Sequence, residues 1–210
     1  MNSKHEIDEL VVSSSSNPRR IIFLFHGYGV NKNNMLSLGE NFNKLLGDVE
    51  VHIPNGIEQI DSPDSRKWFS FATENEKDWI EDFAKKSEKI VSYINAVIND
   101  KGLSYNDVVM IGFSQGAMIS LELGLALGVK AIVSLSGRLL DLHKNRECKN
   151  TKVLFVHGDH DDVIPISYMF DSERILQNAG IKVDNAVMNG MGHYITRGVF
   201  DRVVDFLKEL

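Results

Sequence analysis

The pentapeptide Gly112-Phe113-Ser114-Gln115-Gly116 holds the strongest chemical signal in this chain. An apolar run over 107–111 precedes it, and a second apolar run follows from Ala117. Strand, then Gly-x-Ser-x-Gly, then helix is the context in which a serine is lifted clear of a sheet on a sharp turn. The turn forces strained backbone angles on the serine, and the glycines on either side let strand and helix approach. The hydroxyl then stands at a helix N-terminus, whose dipole favours developing negative charge. The chemistry expected of Ser114 is nucleophilic attack on a carbonyl carbon. The bland alternative is a glycine-rich turn with a capping serine, and the flanking strand and helix weigh against it.

A serine nucleophile needs a base, and the base needs an orienting acid; after this kind of elbow the chain order is Ser, then Asp or Glu, then His. An apolar strand at 152–156 ends in His157-Gly158-Asp159-His160-Asp161-Asp162-Val163-Ile164-Pro165. A later strand, 182–188, ends in Asn189-Gly190-Met191-Gly192-His193. The C-terminal ends of parallel strands are where such sheets build sites. His193 is expected to take the proton of Ser114, behind two glycines that let its loop fold over the site. Among the other histidines, His5 falls in an N-terminal edge strand, His52 inside a strand and His143 in a charged loop. His157 and His160 read as turn residues beside the acid, and His26 opens another loop. Asp159, Asp161 and Asp162 lie within four residues, and spacing does not choose between them. A metal site over His157, Asp159 and His160 is the weaker reading, since the serine–acid–histidine order explains the segment without one. No metal and no cofactor are expected.

Acyl transfer also needs donors for an oxyanion. The backbone N–H of Gln115, the residue after the nucleophile, is one; the loop after an earlier strand supplies the other. Ile21-Ile22-Phe23-Leu24-Phe25 is that strand and His26-Gly27-Tyr28-Gly29 that loop. The N–H of Tyr28 is the expected second donor.

Strands and helices alternate around these motifs. A strand at 7–12 is placed at an antiparallel edge. A helix over 35–46, a strand over 49–53, a helix over 77–100, a helix over 115–127 and a strand over 130–135 follow, with a last helix over 194–210. Trp79, Phe83, Ser87, Ile90, Ile94 and Val97 recur every three to four residues in the 77–100 helix. The pattern implies an α/β fold: a mostly parallel, doubly wound sheet with helices on both faces. At 210 residues the chain is expected to form a single domain over 1–210, large enough for a substantial core. A net charge of −6 argues against nucleic-acid binding by bulk electrostatics. The lone Cys148 fits a cytoplasmic location. Residues 1–9 are polar and no apolar run is long enough to span a bilayer, so neither a signal peptide nor a transmembrane segment is expected.

Six motifs in fixed order resemble the carboxylesterase/phospholipase family of α/β-hydrolases, which includes the acyl-protein thioesterases. They are Leu24-Phe25-His26-Gly27-Tyr28-Gly29, Pro54-Asn55-Gly56, Trp68-Phe69, Gly112-Phe113-Ser114-Gln115-Gly116-Ala117, His157-Gly158-Asp159-x-Asp161-x-x-Ile164-Pro165 and Gly192-His193. The resemblance runs from about residue 20 to the C-terminus. It implies the α/β-hydrolase fold, with Asp161 as the acid and the N–H groups of Tyr28 and Gln115 as the oxyanion hole. Two positions depart from the family pattern: Asp162 stands where Pro is common, and Tyr28 where eukaryotic thioesterases usually carry Leu. The segment Arg66-Lys67-Trp68-Phe69-Ser70 is closer to the bacterial carboxylesterase branch.

Specificity is assigned to surface loops. The segment 57–73 lacks a clear period and carries Trp68, Phe69 and Phe71, expected as a wall of an acyl pocket, with at least one of the three pinning the loop to the core. Met191, Tyr194, Val163 and Ile164 are placed beside the site. The leading expectation is a serine carboxylesterase for small to medium acyl esters or thioesters. A lysophospholipase or acyl-protein thioesterase for long-chain lipid substrates is the alternative, and a hydrolase-like binding protein without turnover a third. An exposed aromatic loop leaves a homodimer open.

Overall fold

β-Branched and aromatic residues build the strands, and their alternation decides which face each side chain meets. In the computed structural model, which describes residues 6–71, 73, 75–140, 148 and 150–210, the chain forms β1 (Glu9–Ser13), β2 (Arg20–Phe25), α1 (Asn33–Leu46), β3 (Val49–Pro54), β4 (Glu58–Gln59), β5 (Arg66–Lys67) and α2 (Glu76–Lys101). Then come β6 (Val108–Phe113), α3 (Gln115–Leu127), β7 (Ala131–Leu135), β8 (Lys152–Gly158), α4 (Ser167–Asn178), β9 (Lys182–Met188) and α5 (Arg197–Lys208). His5 and His143 lie outside the described residues.

Among the described residues seven strands pair in the order β1-β3-β2-β6-β7-β8-β9, all parallel except β1, which runs antiparallel along β3. The central strands are buried on both faces. In β2, Ile21, Phe23 and Phe25 enter a core with residues of α2, α3 and α4, while Ile22 and Leu24 enter a second core with α1 and α5. Burying each such side chain contributes about 1.5–3 kcal/mol. The helix α3 is buried from Gln115 through Leu125, so its sequence is apolar all round.

Two helices differ from the sequence reading, and the segment 57–73, read as a loop, carries the short antiparallel pair β4–β5. The helix α4 is absent from that reading: Met169, Ser172 and Leu176 face inward, but Tyr168, Phe170 and Ile175 are exposed, and outward-facing apolar residues blur the helical period. The last helix begins at Arg197, where the Thr196 hydroxyl accepts the N–H of Val199, which leaves Tyr194 in the loop after His193.

The edge strand is fastened by a buried charged cluster. His52 on β3 lies 2.7 Å through Nδ1 from Glu9 and 2.9 Å through Nε2 from Glu50. The Tyr93 hydroxyl of α2 donates to Glu9, and Lys101 pairs with Glu50 at 2.8 Å. Burial opposes charge on His52, but the carboxylates of Glu50 and Glu9 outweigh it and raise its pKa. Burial likewise opposes charge on Glu50, yet His52 and Lys101 hold it down to about 2. The raised histidine contributes stability below its unfolded pKa of about 6.5 and loses it as pH rises through the folded value. The depressed glutamate contributes above its unfolded pKa of about 4.3 and loses it as pH falls towards 2. The cluster is therefore most stabilising between about pH 4.5 and 6.5. Thermal melts of wild type and His52→Gln are expected to differ most in that window, with the gap narrowing as pH rises through the raised folded value of His52. A gap that does not change with pH would show that the cluster does not act through the charge on His52.

Candidate active site

Steric demands along β6 and α3 place the serine. Ser114 adopts φ 55° and ψ −117°, a left-handed conformation for a non-glycine residue. A Cβ on Gly112 would lie 2.1 Å from the carbonyl oxygen of Gly116, and one on Gly116 would lie 2.3 Å from that of Phe25. Glycine at both positions is what lets strand, turn and helix pack this closely. The Ser114 N–H donates to the Leu135 carbonyl at 2.9 Å, tying the turn to the end of β7.

The loops after β8 and β9 are joined before either reaches the serine. Asp159 and His160 donate their N–H groups to the carbonyls of Met188 and Met191, and the Asp159 carboxylate accepts the N–H of Gly190 at 2.6 Å. A Cβ on Gly158 would lie 2.0 Å from the Met191 carbonyl oxygen, so the crossing also requires glycine. Asp159 thus braces the neighbouring loop. Asp161 turns the other way: its side chain is fully buried and its Oδ2 lies 2.8 Å from His193 Nδ1. The N–H groups of Val163 and Ile164 donate to its Oδ1 at 3.0 and 2.8 Å. His193 Nε2 lies 2.9 Å from Ser114 Oγ, with the Phe113 ring packed 4.8 Å from the imidazole. Burial works against charge on Asp161, but the Ile164 N–H, His193 and the Ser136 hydroxyl hold its carboxyl below the usual carboxylate range. Asp162 is exposed.

The structure thus brings Ser114, His193 and Asp161 into one hydrogen-bonded line. Gln115 is the first residue of α3, where a backbone N–H has no acceptor within the helix. The loop of Tyr28 runs beside it, and a Cβ on Gly27 would lie 3.4 Å from the Ser114 Cβ. Ser114 and His193 open into a cavity of ≈ 460 Å³, lined also by Tyr28, Phe71, Trp79, Met118, Arg138, Val163, Ile164 and Tyr168. A cleft of ≈ 490 Å³ at the opposite end of the strands, between Arg20, Lys130 and Leu207, holds none of these groups.

A sequence profile described as Phospholipase/Carboxylesterase matches residues 7–210. The chain belongs to that family. Esterase YpfH of Escherichia coli (strain K12) is 29% identical over 212 residues, 96% of this chain and 88% of that protein. Acyl-protein thioesterase 1 of Kluyveromyces lactis is 25% identical over 218 residues, 95% of each chain. The crystal structure of esterase PE8 superposes with a TM-score of 0.87 at 25% identity, covering 97% of this chain and 98% of the other. The mostly parallel sheet with helices on both faces is the α/β-hydrolase fold.

In this phospholipase/carboxylesterase chain, the pocket wall differs from the one expected. Phe71 and Ile164 line the cavity, but Trp68, Phe69 and Met191 do not. Trp68 and Phe69 are wholly buried: Trp68 Nε1 donates to the His26 carbonyl, and Phe69 packs on Phe83. The Gln115 side chain holds them there, accepting the Trp68 N–H and donating to the Phe69 carbonyl. Met191 is buried against the α5 side of the sheet, and Tyr194 stands 54% exposed outside the cavity. Trp79, Met118, Arg138 and Tyr168 complete the wall; the sequence reading missed all four as site residues. Trp79 reads only as one apolar position of an amphipathic helix. Arg138, just past the end of β7, carried the same end-of-strand signal that singled out the acid and the histidine.

His26, His157 and His160 take places outside the Asp161–His193–Ser114 line. His26 is buried; its Nδ1–H donates to the Gly27 carbonyl at 2.7 Å and its Nε2 accepts the Gly56 N–H at 2.8 Å. Burial, aided by Arg66, pushes its pKa down to about 4, so it is neutral at neutral pH. His157 lies within β8, not in the turn, and its Nε2–H donates to the Ile164 carbonyl at 2.7 Å. His160 is exposed and pairs with Asp159. Among the described residues no group of three or more His, Cys, Asp or Glu side chains is arranged to hold a metal ion.

Proposed function

We propose that this protein is a serine carboxylesterase acting on small to medium acyl esters or thioesters through an acyl-enzyme on Ser114. The observation that carries the reading is the continuous line Asp161–His193–Ser114, with the serine in a strained turn beside an apolar cavity. Ser114 Oγ adds to the substrate carbonyl carbon while its proton passes to His193 Nε2. Asp161, ionised because its pKa is held low, keeps the Nδ1–H tautomer of His193 and stabilises the imidazolium. The N–H groups of Gln115 and Tyr28 receive the oxyanion. As the tetrahedral species collapses, the C–O or C–S bond breaks and His193 returns its proton to the leaving alcohol or thiol. Water, deprotonated by His193, then releases the acid and restores Ser114.

The reading takes residues 1–210 as a single domain in the cytoplasm. No helix among the described residues is long and apolar enough to cross a membrane, and the lone cysteine fits a reducing compartment. A lipid-directed activity is the second reading, supported by the match to an acyl-protein thioesterase over 95% of the chain.

Chain length separates the two. The cavity, ≈ 460 Å³, must hold leaving group and acyl chain together. Each further methylene gains about 0.8 kcal/mol only while there is wall to cover it. With 4-nitrophenyl esters, kcat/KM is expected to peak between about two and eight acyl carbons and to fall well before sixteen. A steady rise to palmitoyl would establish the lipid-directed reading instead.

A further inference from the structure

One charged side chain sits in the wall of an otherwise neutral cavity. Tyr28, Phe71, Trp79, Met118, Val163, Ile164 and Tyr168 are aromatic or apolar; among the described residues lining it, Arg138 alone carries a permanent charge. Its side chain is 12% exposed. The guanidinium carbon lies 4.5 Å from the Tyr168 ring centroid and 6.0 Å from that of Trp79. One terminal nitrogen, Nη2, donates to Glu76 at 2.6 Å, at the start of α2. Glu76 is 47% exposed and does not line the cavity.

A guanidinium offers five N–H donors in a rigid plane. The rings hold that plane in place before a substrate arrives, which lowers the ordering cost of a new hydrogen bond. Joining α2 to α4 at the surface would not require placing a cation in the wall shared by Ser114 and His193. A carboxylate entering this cavity would meet a pre-positioned, weakly hydrated cation in partly dry surroundings, where charge-assisted hydrogen bonds are strongest.

We propose that Arg138 is a specificity residue that selects esters bearing a carboxylate, such as half-esters of dicarboxylic acids. The inference rests on the esterase reading above. It predicts that the preferred substrate carries its negative charge a few bonds from the scissile carbonyl, on the acyl or on the alcohol side.

Two matched pairs test it and locate the charge. On the acyl side, 4-nitrophenyl hydrogen glutarate is compared with 4-nitrophenyl valerate, where a methyl replaces the carboxylate. On the alcohol side, the butyrate ester of 4-hydroxybenzoate is compared with that of 4-cresol. Arg138→Gln is expected to lower kcat/KM for the anionic ester of one pair by about 10- to 100-fold, the scale of a hydrogen bond to a charged group, and for its neutral partner by less than about threefold. Glu76→Gln keeps an acceptor for Nη2 but removes the carboxylate charge that now offsets the guanidinium, and is expected to raise the anionic-to-neutral ratio in the same pair. Equal losses on both members of each pair, or a Glu76→Gln ratio that stays level or falls, would assign Arg138 to holding α2 and α4 together. In that case the neutral esters are still turned over and the esterase reading stands. If no ester is cleaved by wild type, both readings fall together.

Discussion

Ser114→Ala is expected to abolish covalent labelling and nearly all ester turnover while the fold survives. Alanine keeps the Cβ, so the strained φ of 55° is neither relieved nor worsened, and the glycine contacts that set the turn are untouched. The lost atom is the one within hydrogen-bond reach of His193. Rate enhancement over water should fall to a residual of about 10³–10⁴, supplied by the oxyanion donors and by binding. Intact-mass spectrometry after treatment with a fluorophosphonate should show one adduct on wild type and none on the variant. An adduct on the alanine variant would place the nucleophile elsewhere. Wild-type protein that neither labels nor cleaves any ester would favour a binding protein that merely retains the constellation.

The second large effect concerns the acid. Asp161→Asn should lower kcat by about 10⁴, because an amide opposite His193 Nδ1 favours the wrong tautomer of the imidazole. Oδ1 would still accept the N–H groups of Val163 and Ile164, so the turn should persist and the melting temperature change little. Asp162→Asn alters an exposed side chain and is expected to leave kcat within a few-fold. Asp159→Asn loosens a brace at Gly190, not a contact to the imidazole, so a modest loss is expected there. If Asp162→Asn proved more damaging than Asp161→Asn, the acid would have to be reassigned.

Gln115 also has a structural part. The Gln115 side chain, wholly buried, anchors Trp68 and Phe69 while its own backbone N–H begins α3. One residue therefore couples the elbow to the 66–71 segment and to Phe71, whose ring packs 5.6 Å from Tyr28 at the cavity wall. The aromatic segment shapes the site from behind through Trp68 and Phe69 and from in front through Phe71.

What this chain's sequence determined alone is what short-range sterics and periodicity encode. The elbow was legible because strand, glycine, serine, glycine and helix are consecutive, and the clashes that demand Gly112 and Gly116 arise within that turn and its neighbouring strand. The runs of β2, β6 and β8 were legible because a strand covered on both faces has few places for polar side chains. The order of serine, acid and histidine follows from connectivity, since successive strand ends lie at one edge of a parallel sheet. The direction of each side chain was not encoded in this way. Asp159 and Asp161 are two residues apart, and only the hydrogen bonds between the loops after β8 and β9 send one to Gly190 and the other to His193. Trp68 and Phe69 looked like pocket residues because aromatics in an irregular segment carry no period; the buried amide of Gln115 draws them into the core. Trp79, Arg138 and Tyr168 come from three distant segments, and only packing α2 and α4 over the end of β7 makes them one wall. Local geometry is set within a few residues of chain, whereas a cavity is the space left between elements far apart in sequence, so its lining is decided by tertiary packing.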